Sequence, residues 1–260
     1  MTTALITGAS SGIGETFARE LAAKGNDLIL VARSQEKLEA LAAELSAKDQ
    51  IKTVVITQDL AQSGAGQSVF DRVQTEGLTV DLLINNAGFG DYGAFSDRPL
   101  SKMMTMVQLN IGAVVELTGL FLPLMQARKA GAIMNISSIA GFQPIPYMSV
   151  YAASKAFVLN FSEALWSENK DLGIKIIAVC PGPTESKFYD RADFPDSATG
   201  LNGMTMASAE QIVTESLKAL EKGQSNVVAG GFTNQIIVNL PRLVPRDFLA
   251  NLVGKQFKNI

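Results

Sequence analysis

The chain has 260 residues, 47% of them hydrophobic, and a formal net charge of −3. That is enough to bury the core of one α/β domain, and too apolar for a disordered chain. Charges of both signs are scattered, so nothing favours nucleic acid or an anionic membrane surface as a partner. The absence of histidine and the single cysteine, Cys180, argue against a transition-metal centre, a Ser-His-Asp hydrolase and an internal disulfide framework.

Residues 2–7 read as a short buried strand. The run Thr7-Gly8-Ala9-Ser10-Ser11-Gly12-Ile13-Gly14 follows, and from Ile13 the apolar positions Phe17 and Leu21 take helical spacing. A strand that turns through glycines into a helix presents backbone N–H groups and the positive end of the helix dipole to an anion. Gly8 permits the turn, Gly12 a close approach to a pyrophosphate, and Gly14 tight helix–strand packing, as in dinucleotide sites. An ordinary glycine turn is the plainer reading of the same residues.

Further strands are expected at 28–32, 53–57, 81–85, 132–137, 175–180 and 226–229. Helices are expected between them at 35–47, 67–76, 100–125, 151–169 and 209–221. Apolar runs such as Leu28-Ile29-Leu30-Val31 and Ile176-Ile177-Ala178-Val179 suit strands covered on both faces. The alternation predicts a doubly wound α/β fold, with a parallel seven-stranded sheet in the order 3-2-1-4-5-6-7. No repeat or linker is evident, so residues 1–260 read as one domain. Met1 leads directly into the first strand, so no signal or transit peptide is expected. The apolar stretch 111–125, broken by Glu116 and Pro123, reads as too short to span a bilayer. A soluble cytoplasmic protein is the expectation. Residues 184–206 break the alternation and read as a lid over a substrate, or as a plain surface insertion.

Tyr151 and Lys155 are one turn apart on an expected helix, so phenol and ammonium can face one site, where a neighbouring positive charge favours phenolate. A surface lysine beside a core tyrosine is the plainer alternative. Ser138 and Asn85-Asn86-Ala87-Gly88 fall at the carboxyl ends of strands, the rim where open α/β sheets bind ligands.

Thr7–Gly14, Asn85–Gly88, Asn110, Ser138, Tyr151/Lys155 and Pro181-Gly182-Pro183-Thr184, in this order, resemble the short-chain dehydrogenase/reductase family over nearly the whole chain. Within the family, Phe89-Gly90-Asp91-Tyr92-Gly93 resembles the branch that contains oxoacyl and hydroxysteroid reductases. The resemblance implies a Rossmann fold and hydride exchange between a nicotinamide cofactor and a carbonyl. Tyr151 would be the general acid/base and Lys155 would support it while holding the nicotinamide ribose. Ser138 would orient the carbonyl, and Asn110 would hold a water that links Lys155 to solvent. Cofactor contacts would come from Gly8, Ser10, Ser11, Gly12, Ile13, Gly14, Asp59, Leu60, Asn86, Ala87, Gly88, Pro181, Gly182 and Thr184, together with Tyr151 and Lys155. Ser137 reads as structural, because the step from Ser138 to Tyr151 matches the family spacing. Members usually form dimers or tetramers through the helices assigned here to 100–125 and 151–169.

An NAD site places an acid at the end of the second strand to bind the ribose 2′-OH, whereas this chain has Ala32-Arg33. A guanidinium suits a 2′-phosphate, so NADP(H) is the expected cofactor. Phe89, Tyr92, Phe95, Ile145, Pro146, Tyr147, Met148, Phe188, Tyr189 and Phe194 are candidate substrate walls and favour an apolar carbonyl. In the extension 232–260, Phe248, Leu249, Leu252, Val253 and Phe257 share a helical pattern, with Arg242, Arg246, Lys255 and Lys258 nearby. Packing over the pocket or a partner subunit is expected there, with attachment to a membrane surface as the alternative. The leading reading is an NADPH-dependent ketone or aldehyde reductase. A non-catalytic NADP(H) sensor and an NAD-dependent dehydrogenase are the alternatives.

Overall fold

The computed structural model describes residues 2–185, 188, 192–194 and 206–258. Among them, β1 (Thr3–Thr7), β2 (Asp27–Ala32), β3 (Thr53–Thr57), β4 (Leu82–Asn85), β5 (Gly131–Ile136), β6 (Ile174–Pro181) and β7 (Asn226–Ala229) form one sheet. Every pairing is parallel, and the order is β3-β2-β1-β4-β5-β6-β7, as the strand pattern predicts. Consecutive residues Leu5/Ile6, Ile29/Leu30, Leu83/Ile84, Ile133/Met134 and Ile176/Ile177 point to opposite faces, and none is more than 1% exposed. Burial on both faces is why these strands read as unbroken apolar runs.

Helices α1 (Gly12–Ala23), α2 (Gln35–Asp49) and α7 (Ala209–Glu221) cover one face through Phe17, Leu38, Leu45 and Ile212. On the other face lie α3 (Ala65–Thr75), α5 (Ala113–Arg128) and α6 (Ser149–Asn169), packed through Val69, Leu117, Phe121 and Trp166. The helix expected at 100–125 is α4 (Leu100–Val107), a π-turn (Gln108–Gly112) and α5 in continuous succession. The π-turn inserts a residue into the helical ladder and turns Asn110 inward, where it is buried.

This continuous helix, Leu100–Arg128, has 29 residues and is long and apolar enough by length and composition to cross a membrane. That corrects the expectation drawn from 111–125 alone. Here Leu117, Phe121 and Met125 pack on the sheet. Glu116 accepts hydrogen bonds from the backbone N–H of Gly66 and Gln67, both at 3.1 Å, which caps the start of α3.

Two helices close the described chain, α8 (Phe232–Asn239) and α9 (Arg246–Lys258), the first of which the sequence pattern did not reveal. Most of the expected lid lies outside the described residues, Tyr189 among them. Its flanks meet at a parallel bridge between Thr184 and Ala207.

Candidate active site

The carboxyl ends of the strands open onto a cleft of about 1200 Å³. Strand β1 delivers Gly8 to its floor at φ +68°, in the left-handed region that suits glycine. Asn86, after β4, donates through Nδ2 to the Thr7 carbonyl at 2.9 Å, and Thr7 Oγ1 accepts from the N–H groups of Asn86 (2.9 Å) and Ala87 (3.0 Å). These bonds lash the glycine turn to the neighbouring strand. A Cβ on Gly14 would meet the Gly8 carbonyl and the Asn86 amide, so Gly14 is required by close approach. Ser10, Ser11, Gly12 and Ile13 line the cleft, whereas Gly14 lies behind its wall. This cradle of backbone N–H groups at the start of α1 fits a pyrophosphate.

Asp59 and Leu60 border the cleft after β3, and Arg33 lies exposed on it after β2. Ser34 and Lys37 stand beside Arg33, two residues that sequence reasoning missed. Ser34 is the N-cap of α2, and its side chain makes no capping hydrogen bond. Arg33 and Lys37 both line the cleft by the start of α2, two cations that could hold an anion, and no carboxylate stands at the end of β2. At the other end of the cleft are Pro181, Gly182 and Thr184, with Thr184 Oγ1 donating to the Gly182 carbonyl at 2.9 Å.

Between these ends stand Tyr151 and Lys155 on α6, both buried and both facing the cleft. Lys155 Nζ lies 5.8 Å from the Tyr151 ring centroid and donates to the Ile136 carbonyl at 2.8 Å. Burial pulls the Lys155 ammonium down to about 8, while the adjacent Cys180 thiol is pushed up to about 12 and stays neutral. Ser137 Oγ donates to the Lys155 carbonyl at 2.7 Å, consistent with its structural reading. Ser138 faces the cleft at the N-terminus of a short 3-10 turn, where its Oγ accepts from the Ala140 N–H at 3.1 Å.

Asn110 does not line the cleft. Its Oδ1 accepts from the Phe89 N–H at 3.1 Å, and its Nδ2 donates to the Phe89 carbonyl at 3.0 Å and to Ser154 Oγ at 3.1 Å. Ser154 Oγ in turn donates to the Tyr151 carbonyl at 2.7 Å. These bonds give Asn110 a visible positioning role. Asn110 clamps the loop after β4 to the helix that carries Tyr151.

Apolar side chains cluster around Tyr151, with Lys102, Gln143 and Gln256 among the polar residues that line the same cleft. Phe89, Ile145, Met148, Phe188 and Phe194 line it as expected, and the Tyr151 and Phe188 rings lie 5.3 Å apart. Phe95 is instead 59% exposed, because its 3-10 turn faces solvent, and Pro146 and Tyr147 also stand off the cleft wall. Tyr92 packs behind the wall, its hydroxyl donating to the Phe257 carbonyl at 2.6 Å. α9 adds Val253, Gln256 and Phe257 to the wall, α8 adds Ile237, and Lys102 and Thr105 of α4 with Gln143 bring polar groups to it. The expected single apolar stripe of α9 therefore divides. Leu249, Val253 and Phe257 pack inward, while Phe248 and Leu252 are exposed.

The Lys155 environment has a measurable consequence. Between about 8 and the ordinary 10.5, the unfolded chain keeps a proton that the folded chain has shed. Raising pH through that window therefore favours the folded state, by up to about 3 kcal/mol from this group. Thermal unfolding of cofactor-free protein, with Lys155→Met as the reference, should show the wild type gaining stability relative to the variant from pH 8 upward. A difference that is flat with pH would contradict the assigned burial.

A family model described as short chain dehydrogenase matches residues 2–193. The chain belongs to that family. It is 36% identical over 259 residues to the very-long-chain 3-oxoacyl-CoA reductase of Homo sapiens, covering 96% of this chain and 78% of that one. It spans between 53% and 58% of the length of four further curated relatives of that description. Among solved structures, it resembles a short-chain dehydrogenase from Sphingobium yanoikuyae in complex with NADPH (TM-score 0.81, 33% identity, 88% of this chain and 87% of that one). It also resembles a bulky-bulky ketone specific alcohol dehydrogenase from Comamonas testosteroni (TM-score 0.80, 30% identity, 96% and 94%).

Proposed function

We propose that this chain is an NADPH-dependent reductase of ketones that carry a large apolar substituent. The observation that carries the reading is the position of Tyr151 and Lys155, where the glycine-turn half of the cleft meets the apolar side chains that cluster around Tyr151. Gly8, Ser10–Ile13 and Asn86–Gly88 would hold the dinucleotide, Pro181–Thr184 its nicotinamide end, and Arg33 with Lys37 the 2′-phosphate. A reduced nicotinamide held there would supply the hydride that the carbonyl carbon accepts. Ser138 Oγ–H polarises the carbonyl oxygen, and Tyr151 delivers the proton that this oxygen takes up as the C=O bond becomes C–O–H. Lys155, cationic below about pH 8, stabilises the phenolate left behind. Because reduction consumes a proton, falling pH favours alcohol and rising pH favours oxidation.

Phe89, Met148, Phe188, Val253 and Phe257 support an apolar substrate. A long-chain 3-oxoacyl thioester falls within this class, and the names of the curated relatives support it as the second reading. The solved relative in complex with NADPH supports the cofactor assignment. The cytoplasm is the proposed setting, and the lone, buried Cys180 accords with a reducing compartment. Pairing into a homo-oligomer through α4–α5 and α6 is supported by Met104, Val115, Leu124 and Phe157, apolar side chains exposed there.

Arg33→Ala tests the cofactor assignment. Loss of one charge-assisted contact to a 2′-phosphate should raise the NADPH KM by about 10-fold or more and the NADH KM by far less. Equal effects on both would remove the NADP(H) assignment and favour the NAD reading.

A further inference from the structure

The apolar side chains that α8 and α9 turn away from the cleft are not accounted for by reduction. Phe232, Ile236 and Leu240 recur at four-residue steps, which places them along one helical stripe. Phe248 and Leu252 form a second stripe at the same spacing on α9, and Leu243 lies in the turn between. All six are exposed, with Phe232 at 79% and Leu243 at 81%. Among the described residues, no comparable stretch of chain leaves so many large apolar side chains in water, and such concentration marks an interaction surface.

Charge is concentrated there too. Residues 232–258 carry Arg242, Arg246, Lys255 and Lys258 against one acid, Asp247, in a chain whose net charge is −3. All four cations are exposed, and Lys255 follows Leu252 by three residues on the outer side of α9. Long cationic side chains at the edge of an apolar stripe can keep their heads in the polar layer while their stems lie on hydrocarbon. A two-fold contact with a second copy would bring this cationic face against itself, with Asp247 as its one acidic partner.

We propose that the outward faces of α8 and α9 dock the protein on an anionic lipid surface. Phe232, Ile236, Leu243, Phe248 and Leu252 enter the interface, and Arg242, Arg246 and Lys255 meet the headgroups. The same two helices border the cleft on their inner sides, through Ile237 on α8 and Val253 and Phe257 on α9. Docking therefore sets this wall of the cleft next to the lipid, where a poorly soluble ketone would partition.

The full chain is floated with phosphatidylcholine vesicles, and with vesicles in which about a third of the lipid is phosphatidylserine. Wild type should float with the anionic vesicles, and roughly tenfold less at about 0.5 M salt. The Phe248→Glu/Leu252→Glu and Arg242→Glu/Arg246→Glu pairs should each weaken flotation by about 10-fold or more. Because these side chains are exposed and off the cleft, NADPH oxidation with a short, soluble ketone should be unchanged in both pairs. Failure of wild type to float, or equal flotation of wild type and both pairs, overturns the proposal. So does a dimer that the Phe248/Leu252 pair splits in sedimentation velocity while wild type ignores lipid, which would make the face a contact between copies. The flotation result does not depend on turnover, so it stands or falls separately from the proposed reductase activity.

Discussion

Tyr151→Phe should lower kcat by about 10²–10⁴-fold, the range typical of a positioned acid, while NADPH still binds. The substitution removes one oxygen and keeps the ring. Tyr151 is 8% exposed and packs with Met148, Ala152 and Phe188, so Phe retains the shape that fills this part of the core. Equilibrium NADPH titration and single-turnover hydride transfer separate the two effects. Near-normal turnover would mean that another group supplies the proton, and the role given to Tyr151 would be lost.

Gly14→Ala should weaken cofactor binding and lower Tm, although local propensity argues for a more stable helix. Gly14 lies in α1, where replacing glycine by alanine in an open helix adds about 1 kcal/mol of stability. Here the added methyl runs into the Gly8 carbonyl and the Asn86 amide. Forcing a tightly packed neighbour aside costs about 1–3 kcal/mol, enough to match or exceed the propensity gain. The displaced groups belong to the glycine turn itself, so NADPH affinity should fall by at least about 10-fold. Calorimetric unfolding and NADPH titration of the variant check both halves. A more stable Gly14→Ala protein with normal affinity would show that the turn yields freely and that close packing at Gly14 does not govern the site.

Much of this architecture was legible in the sequence because the sheet is buried on both faces. Continuous apolar runs such as Leu28–Val31 leave little choice of element, and the glycine turn fixes where β1 ends and α1 begins. The site was legible for a related reason: strand ends and helix starts carry it, and those are the points that turn chemistry marks. The π-turn at Gln108–Gly112 left no such mark, since an inserted residue inside a long apolar helix changes no residue type. The inward turn of Asn110 toward Phe89 and Ser154 therefore became visible only in three dimensions. Lys37 was passed over because a lysine near a helix start reads as a solvated charge until Arg33 is seen beside it. Helix α8 was missed because its apolar stripe faces outward, against the pattern expected of a core helix. In α9 the apolar residues read as one face, yet the structure gives Val253 and Phe257 to the cleft and leaves Phe248 and Leu252 outside.

The most direct measurement is NADPH consumption by the purified chain, followed by nicotinamide absorbance, with NADH as the control. The substrates would be ketones of increasing apolar bulk and long-chain 3-oxoacyl thioesters. Oxidation of NADPH but not NADH, with kcat/KM rising with apolar bulk and falling in Tyr151→Phe, is the predicted result. Tight NADPH binding with no turnover on any of these carbonyls would contradict the reductase and favour a dinucleotide sensor built on the same fold.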